Sequence, residues 1–265
     1  MKVNAYVTLS LLLLVGCEET SPHPRSAPPE VPNASAESLI AGWGDMGMWL
    51  PDTEEIAVFR KSFPSAQHLL RNALSHHDRS VRMRAAYVIG KLGDVAKPVG
   101  NDLVKRVADE PDTLVRMYIV NALNAIGYKT ESAIEVLTER YRSLDGSNRP
   151  PNADHSYAEV DEKITIASAL YALSDDESIS EYYNFVTKWL DPPDHNLGGD
   201  LLEGYWQRRL IAVNSLERMP DATDAIPKLE SLQAERNAKL WVNTHVPRVL
   251  NVLRKTARSQ SLESK

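Results

Sequence analysis

The chain has 265 residues, with 30 Lys and Arg against 36 Asp and Glu, which gives a formal net charge of −6. An acidic chain of this kind is unsuited to nucleic acid as a partner, because neutralising phosphates requires a basic surface. Its single cysteine excludes a disulfide framework and any zinc site built from several cysteines. Glycine and phenylalanine are scarce while Leu, Ala, Glu and Arg are plentiful, which favours helices.

Residues 1–16 have the layout of a secretory signal, with Lys2 followed by an apolar run over 5–15. That run is too short to cross a membrane, since a spanning helix needs about 20 apolar residues. The sequence Leu14-Val15-Gly16-Cys17 resembles the lipobox of bacterial lipoproteins. The resemblance implies that Cys17 is lipidated (palmitate or a similar acyl chain), becomes the first residue of the mature chain, and anchors it in the cell envelope. Glu18 in place of Asp is similar to lipoproteins of the outer membrane that face the periplasm.

Residues 17–35 are predicted to be an extended tether, because they contain five prolines and almost no large apolar side chain. Residues 36–62 hold Trp43, Trp49 and, at Asp52, the start of a short helix. We interpret this segment as a cap over the first apolar face of the repeats that follow. The alternative is an apolar docking patch for a partner.

Residues 63–255 repeat a pattern of two helices. Asp78-x-x-Val81-Arg82, ending at Leu92-Gly93, recurs as Asp112-x-x-Val115-Arg116, ending at Ile126-Gly127. Weaker copies lie at 163–173, 206–219 and 240–253, and each copy follows an amphipathic stretch, at 65–75, 95–108, 132–144, 178–190 and 223–236. We expect Asp78 and Asp112 to cap helix starts and Gly93 and Gly127 to end helices.

The Asp-x-x-Val-Arg pattern resembles the HEAT-repeat family, in particular its bacterial variant. The resemblance implies an all-α fold, a right-handed α-α superhelix of about five helix pairs, with residues 256–265 left as a polar tail. In that family the aspartate and arginine of neighbouring repeats form a ladder between turns. By resemblance, the structural ladder consists of Asp78, Arg82, Asp112 and Arg116.

The first step between copies is 34 residues (78 to 112). The next two are longer, at 47 (122 to 169) and 46 (169 to 215). The extra residues are 145–157 and 191–200, each between the two helices of its pair, so we expect them at one edge of the stack. The residues predicted to bind a partner there are Arg149, Asp154, His155, Asp191, Asp194 and His195. Two alternatives stay open: loops that are only spacers, and a metal site formed by Asp154, His155, Asp194 and His195.

Motifs for catalysis are absent from the sequence: there is no Gly-x-Ser-x-Gly, no His-Glu-x-x-His and no phosphate-binding glycine loop. We therefore predict no enzyme and no cofactor, but a membrane-anchored protein-binding scaffold of the bacterial envelope, with the partner on its concave face or on the loop edge. One alternative is a metal-dependent enzyme or glycan-binding protein that uses the two Asp-His loops. A purely structural spacer is another.

Overall fold

The computed structural model describes residues 35–44, 49–144, 158–175, 178–192, 199–219, 221–235 and 239–263. Within these ranges the regular structure is helical and contains no strand, which confirms the all-α prediction. The chain divides into two compact units, Val15–Tyr128 and a second that contains Lys129–Lys265. We call them the N-terminal unit and the C-terminal unit.

The N-terminal unit contains α1 (Ala36–Gly42), α2 (Thr53–Ser62), α3 (Gln67–Leu74), α4 (Arg79–Leu92), α5 (Gly100–Asp109) and α6 (Thr113–Ala125). The C-terminal unit contains α7 (Glu131–Ser143), α8 (Ala158–Leu173), α9 (Ile179–Thr187), α10 (Gly199–Leu216), α11 (Ile226–Gln233) and α12 (Val242–Glu263). Short 3₁₀ segments precede α5 (Gly93–Val99), extend α9 (Lys188–Leu190) and precede α11 (Thr223–Ala225). The predicted pairs are α3/α4, α5/α6, α7/α8, α9/α10 and α11/α12, and the two helices of each pair are in contact.

Local sequence sets the ends of the second helices in the N-terminal unit. Asp78 caps α4 by accepting a hydrogen bond from the Ser80 amide at 2.7 Å, and Asp112 caps α6 through the Val115 amide at 3.1 Å. Gly93 and Gly127 follow these helices with φ of 63° and 60°, a conformation that a side chain disfavours. Both cap predictions are confirmed.

The second helices of these two pairs, α4 and α6, pack directly against each other. Every residue from Val81 to Ala86 is buried, as expected of a helix covered on all sides. At the closest approach a Cβ placed on Gly90 would lie 3.3 Å from the Cα of Ala122. Small residues at this crossing therefore let the two backbones come close.

Residues 36–62 cover the first pair, since α1 packs against α3 and α2 packs against α4. Trp43 is fully buried and contacts Phe59, with ring centroids 5.5 Å apart. The buried guanidinium of Arg84 donates hydrogen bonds to the carbonyl oxygens of Trp43 and Trp49, the latter at 2.7 Å. These contacts are those that a cap requires, although the ring of Trp49 itself stays exposed.

In the C-terminal unit α8 packs against α10, and α10 packs against α12, so second helices again stack on one another. The predicted polar tail at 256–265 is helical as far as Glu263, because α12 continues through it. Gln260 of this extension donates a hydrogen bond to Asp221 at 3.2 Å, and just before the extension Arg254 pairs with Glu230 at 2.6 Å. Stacked pairs of this kind form the framework that positions the candidate site.

Candidate functional site: the stems of the two insertions

In four of the pairs a basic residue of the second helix binds a backbone carbonyl at or just past the end of the first helix. The last carbonyls of a helix have no partner within it and carry partial negative charge, so a cation there stabilises them. The bonds run from Arg82 to the carbonyls of His76 and His77, from Arg116 to Glu110, from Lys163 to Leu144 and from Arg209 to Leu190. We call this arrangement the basic clamp.

Two of the clamp residues also reach the next pair. Arg82 forms a bidentate pair with Glu110, at 2.9 and 2.7 Å. Arg209 forms the same arrangement with Glu235, at 2.8 and 2.6 Å. In both cases the glutamate lies just past the end of the next pair's first helix, so one side chain ties together two successive pairs.

The predicted ladder consists of Asp78, Arg82, Asp112 and Arg116. The structure pairs Arg82 with Glu110, while Asp78 and Asp112 cap their own helices. Asp112 also forms an ion pair, but with Arg79 at 3.2 Å. An equivalent of the Arg82–Glu110 pair is formed by Arg209 and Glu235 near the end of the chain.

The acid of the first ladder step is deeply buried and fully engaged. Although burial alone would raise it, the pKa of Glu110 is lowered by hydrogen bonds from Arg82 and Arg106. The same carboxylate accepts a bond from the Asp112 amide at 3.1 Å. Glu110 is therefore ionised and saturated, and its role is structural.

The clamp continues across both insertions. In the pairs without an insertion the clamping residue lies six positions after the carbonyl that it binds. In the pairs that carry one, Lys163 and Arg209 each lie nineteen positions after that carbonyl. Each clamp thus spans 13 extra residues (19 − 6) without losing its contact. We call the residues on either side of each insertion its stem.

The first stem is built from Leu144, Lys163 and the aromatic rings around them. The Nζ of Lys163 lies 2.7 Å from the Leu144 carbonyl oxygen, 4.5 Å from the ring centre of Tyr141 and 5.5 Å from that of Phe185. Tyr141 and Phe185 meet edge to face with centroids 5.7 Å apart. A charge-assisted hydrogen bond and two cation–π contacts therefore fix the residue from which the first insertion departs.

The second stem ends at Asp191. Its carbonyl oxygen accepts a hydrogen bond from the Tyr205 hydroxyl at 2.9 Å, and its carboxylate pairs with Lys228 at 2.8 Å. Tyr205 packs against Trp189, with centroids 5.7 Å apart. Asp191, predicted to bind a partner from the second insertion, thus belongs to the stem.

Phe185 joins the two stems. It contacts Tyr141 and Lys163 of the first stem, and Lys188 of the second stem lies 4.1 Å from its ring centre. Lys188 in turn lies 5.2 Å from the ring centre of Trp189. The stems are therefore neighbours on one edge of the C-terminal unit, as the repeat spacing predicted for the insertions.

Behind the stems, α8 carries two buried acids with different surroundings. Glu162 is fully buried and forms a bidentate pair with Arg140 of α7, at 2.8 and 3.0 Å. Asp161 is also buried, but its Oδ1 lies 4.0 Å from the Nε of Arg208 and accepts no hydrogen bond from the described residues. Burial raises the pKa of Asp161 to about 7, against an opposing effect of Arg208.

The other predicted site residues, Cys17, Arg149, Asp154, His155, Asp194 and His195, lie outside the described residues. Among the side chains that the structure does describe, no group of three or more His, Cys, Asp or Glu is placed to hold a metal ion. None of the helices in the described ranges has the length and apolar character needed to traverse a bilayer. The second insertion is shorter than predicted, because α10 already begins at Gly199.

The sequence contains a spacing signal from which the clamp residues could have been identified. The basic residues 82, 116, 163 and 209 are separated by 34, 47 and 46 positions, the same steps that separate the repeats themselves. Extending this series of basic positions past both insertions leads to Lys163 and Arg209. Their acidic partner Glu235 has no such signal, since it lies 26 residues further on.

No known protein family matches this chain, and no curated protein sequence matches it. One solved structure that resembles it is described as the crystal structure of an engineered protein, a structural-genomics target. The two share 15% sequence identity and a TM-score of 0.40, with 96% of this chain and 98% of the other covered.

Proposed function

We propose that this protein is a non-catalytic scaffold of the bacterial cell envelope that binds a protein partner through the edge bearing the two insertions. One observation carries the proposal: Lys163 and Arg209 close the stems of both insertions, and Phe185 holds those stems side by side. Loops presented by a rigid framework are the usual location of binding residues. The paired stems supply such a framework.

The edge is suited to a protein surface in its chemistry as well. Its stems combine aromatic rings with the cations Lys163 and Lys188, and Trp, Tyr and Arg are the side chains most common at binding hot spots. The insertions add Arg149, Asp154, His155, Asp194 and His195. Two insertions of mixed charge that depart from neighbouring stems suit a protein surface better than a small-molecule pocket.

We further propose that the scaffold is held at a membrane by lipid on Cys17, facing the periplasm from the outer membrane. The support is the lipobox-like sequence that ends at Cys17. One acyl chain binds a bilayer only marginally and two or more hold firmly, so a multiply acylated cysteine would keep the chain at the membrane. In polyproline form the 18 residues from Glu18 to Ser35 reach at most about 55 Å, which lets the folded part stand off the lipid surface.

The decisive experiment is a crosslinking pull-down from native membranes with three forms of the protein. The first is the wild type, and the second lacks residues 145–156 and 193–198 but keeps both stems. The third keeps the lengths of these segments with Gly and Ser replacing their side chains. We expect a partner that the wild type captures and both altered forms lose. Capture of the same partners by all three would refute the loop edge as the binding surface.

A further inference from the structure

Where α8 packs against α10, most charged groups are saturated with partners. Glu162 is paired with Arg140, Arg209 is paired with Glu235, and Lys163 is bound to the Leu144 carbonyl. Asp161 differs, although it is buried to the same degree: the nearest approach to Arg208 is 4.0 Å and Gln207 reaches its Oδ2 at only 3.4 Å. Burying a carboxyl group that has such weak partners costs much free energy when the group is charged and far less when it is neutral.

The position of this pair connects it to both stems. Asp161 lies in the first turn of α8, four positions after the first insertion ends and two before the clamp residue Lys163. Arg208 is adjacent to the clamp residue Arg209, and its guanidinium lies 5.3 Å from the ring centre of Trp189 in the second stem. A change in the Asp161–Arg208 contact therefore acts directly between the two stems.

We propose that Asp161 and Arg208 form a proton-operated latch between α8 and α10: the neutral carboxyl group keeps the helices packed, and its ionisation loosens them. The inference rests on the helices and does not depend on the proposed scaffold function. In a scaffold of that kind, the latch would make the distance between the two stems sensitive to pH near neutrality.

The direction follows from proton binding. Burial raises the pKa of Asp161 to about 7, and Arg208 opposes the rise without cancelling it. In a locally opened state the carboxyl group is solvated and returns to its ordinary value near 4. The packed state therefore holds a proton that the open state releases. The contribution to packing is complete below pH 4 and is lost as the pH rises through 7.

Other charged groups near Asp161 do not reverse this effect. On its own helix Glu162 and Lys163 have the partners given above, and on α10 Arg209 is paired with Glu235. From the 3₁₀ segment, Lys188 lies against Phe185 and Trp189. From α7, Arg140 faces Glu162. Among the described groups, Arg208 is the charge that acts on the pKa of Asp161.

The test is amide hydrogen exchange of the full chain carrying Cys17→Ser, followed in peptides from α8 and α10 and corrected for the intrinsic pH dependence of exchange. In the otherwise wild-type chain, a pKa of 7 against one near 4 predicts a rise in the opening constant of about thirtyfold between pH 5.5 and pH 8.5. The Asp161→Asn variant should show no such rise, because its side chain is always neutral. A rise below about threefold in the reference chain, or an equal rise in the variant, would overturn the latch.

Two further variants separate the latch from a general loss of packing. Glu162→Gln removes a neighbouring buried acid and should increase opening at both pH values without changing their ratio. Arg208→Met removes the charge that favours ionised Asp161, so the rise in opening should begin at the same pH but continue to a higher pH before it levels off. This variant also provides a readout if Asp161→Asn fails to fold. A rise that levels off at an unchanged or lower pH would contradict the assignment of Arg208.

Discussion

The clamp residue Arg209 allows the sharpest test of how the C-terminal unit is held together. Its side chain is fully buried, donates to the Leu190 carbonyl at 2.7 Å and forms the bidentate pair with Glu235. Replacing it with Met fills nearly the same volume but removes every one of these bonds. We expect Arg209→Met to destabilise the C-terminal unit strongly without creating a large cavity.

The size of the effect follows from burial. Removing one member of a buried ion pair costs about 3–5 kcal/mol, because the partner is left desolvated and unpaired. The side chain of Glu235 is 24% exposed and regains some hydration, which reduces that figure. The unsatisfied Leu190 carbonyl adds about 1–3 kcal/mol if it cannot reach water. We expect the free energy of unfolding to fall by about 3 kcal/mol, which raises the unfolding constant roughly a hundredfold.

Urea unfolding of the full chain with Cys17→Ser, followed by tryptophan fluorescence, measures this loss, since Trp189, Trp206 and Trp241 lie in the C-terminal unit. The matched control is Lys239→Met, which breaks the Lys239–Glu203 pair, where the side chains are 42% and 41% exposed. Exposed pairs contribute below about 1 kcal/mol. A double-mutant cycle with Glu235→Gln should give a coupling of at least about 1.5 kcal/mol. If Arg209→Met costs no more than the control, the clamp has no energetic role and the reasoning fails.

Two further predictions concern the rest of the chain. Deleting residues 145–156 should leave a cooperative thermal melt by circular dichroism within about 3 °C of the wild type, because the Lys163–Leu144 clamp stays intact and loop closure depends weakly on length; a melt without a sharp transition would place that segment in the core. Cys17→Ser should move the protein from the membrane fraction to the soluble fraction on cell fractionation, and retention at the membrane would rule out the lipid anchor.

The helix pairs could be predicted from sequence because short-range rules determine them. Apolar residues three and four apart define the buried faces, and the capping residues Asp52, Asp78 and Asp112 lie where the helices begin. Gly93 and Gly127 mark the ends of two helices by the same local logic. Each of these signals is contained in a few neighbouring residues, so no tertiary information is needed to read it.

The ladder partners could not be predicted in the same way. Arg82 meets Glu110 across 28 positions, and Arg209 meets Glu235 across 26, so the pairing depends on how two helix ends are brought together. The family pattern directed attention to Asp112, which caps its own helix and pairs with Arg79. Arg82 instead meets the longer side chain of Glu110, just past the end of the next pair's first helix.

Burial of charge was the other feature hidden from the sequence. Asp161 lies in the first turn of α8 and Glu162 follows it, near a helix start where acidic residues usually lie exposed and interact favourably with the helix dipole. Here α7 supplies Arg140 to one of them and α10 supplies Arg208 to the other. The contacts with α7 and α10 therefore bury both acids at this helix start and give them unequal partners, a close one for Glu162 and a distant one for Asp161.

The clamp explains how this fold accommodates its insertions. Lengthening the separation from 6 to 19 residues costs only about 1 kcal/mol in loop closure, less than the buried clamp of Arg209 is expected to contribute. The lysine or arginine of the second helix binds the carbonyl at the end of the first helix, whatever the number of residues between the two. The stability of the helix pairs is therefore largely independent of the insertion, and residues there can change to suit a partner without weakening the framework. A binding surface on the second helices would lack this freedom, since Arg82, Glu162 and Arg209 are already committed to structural bonds.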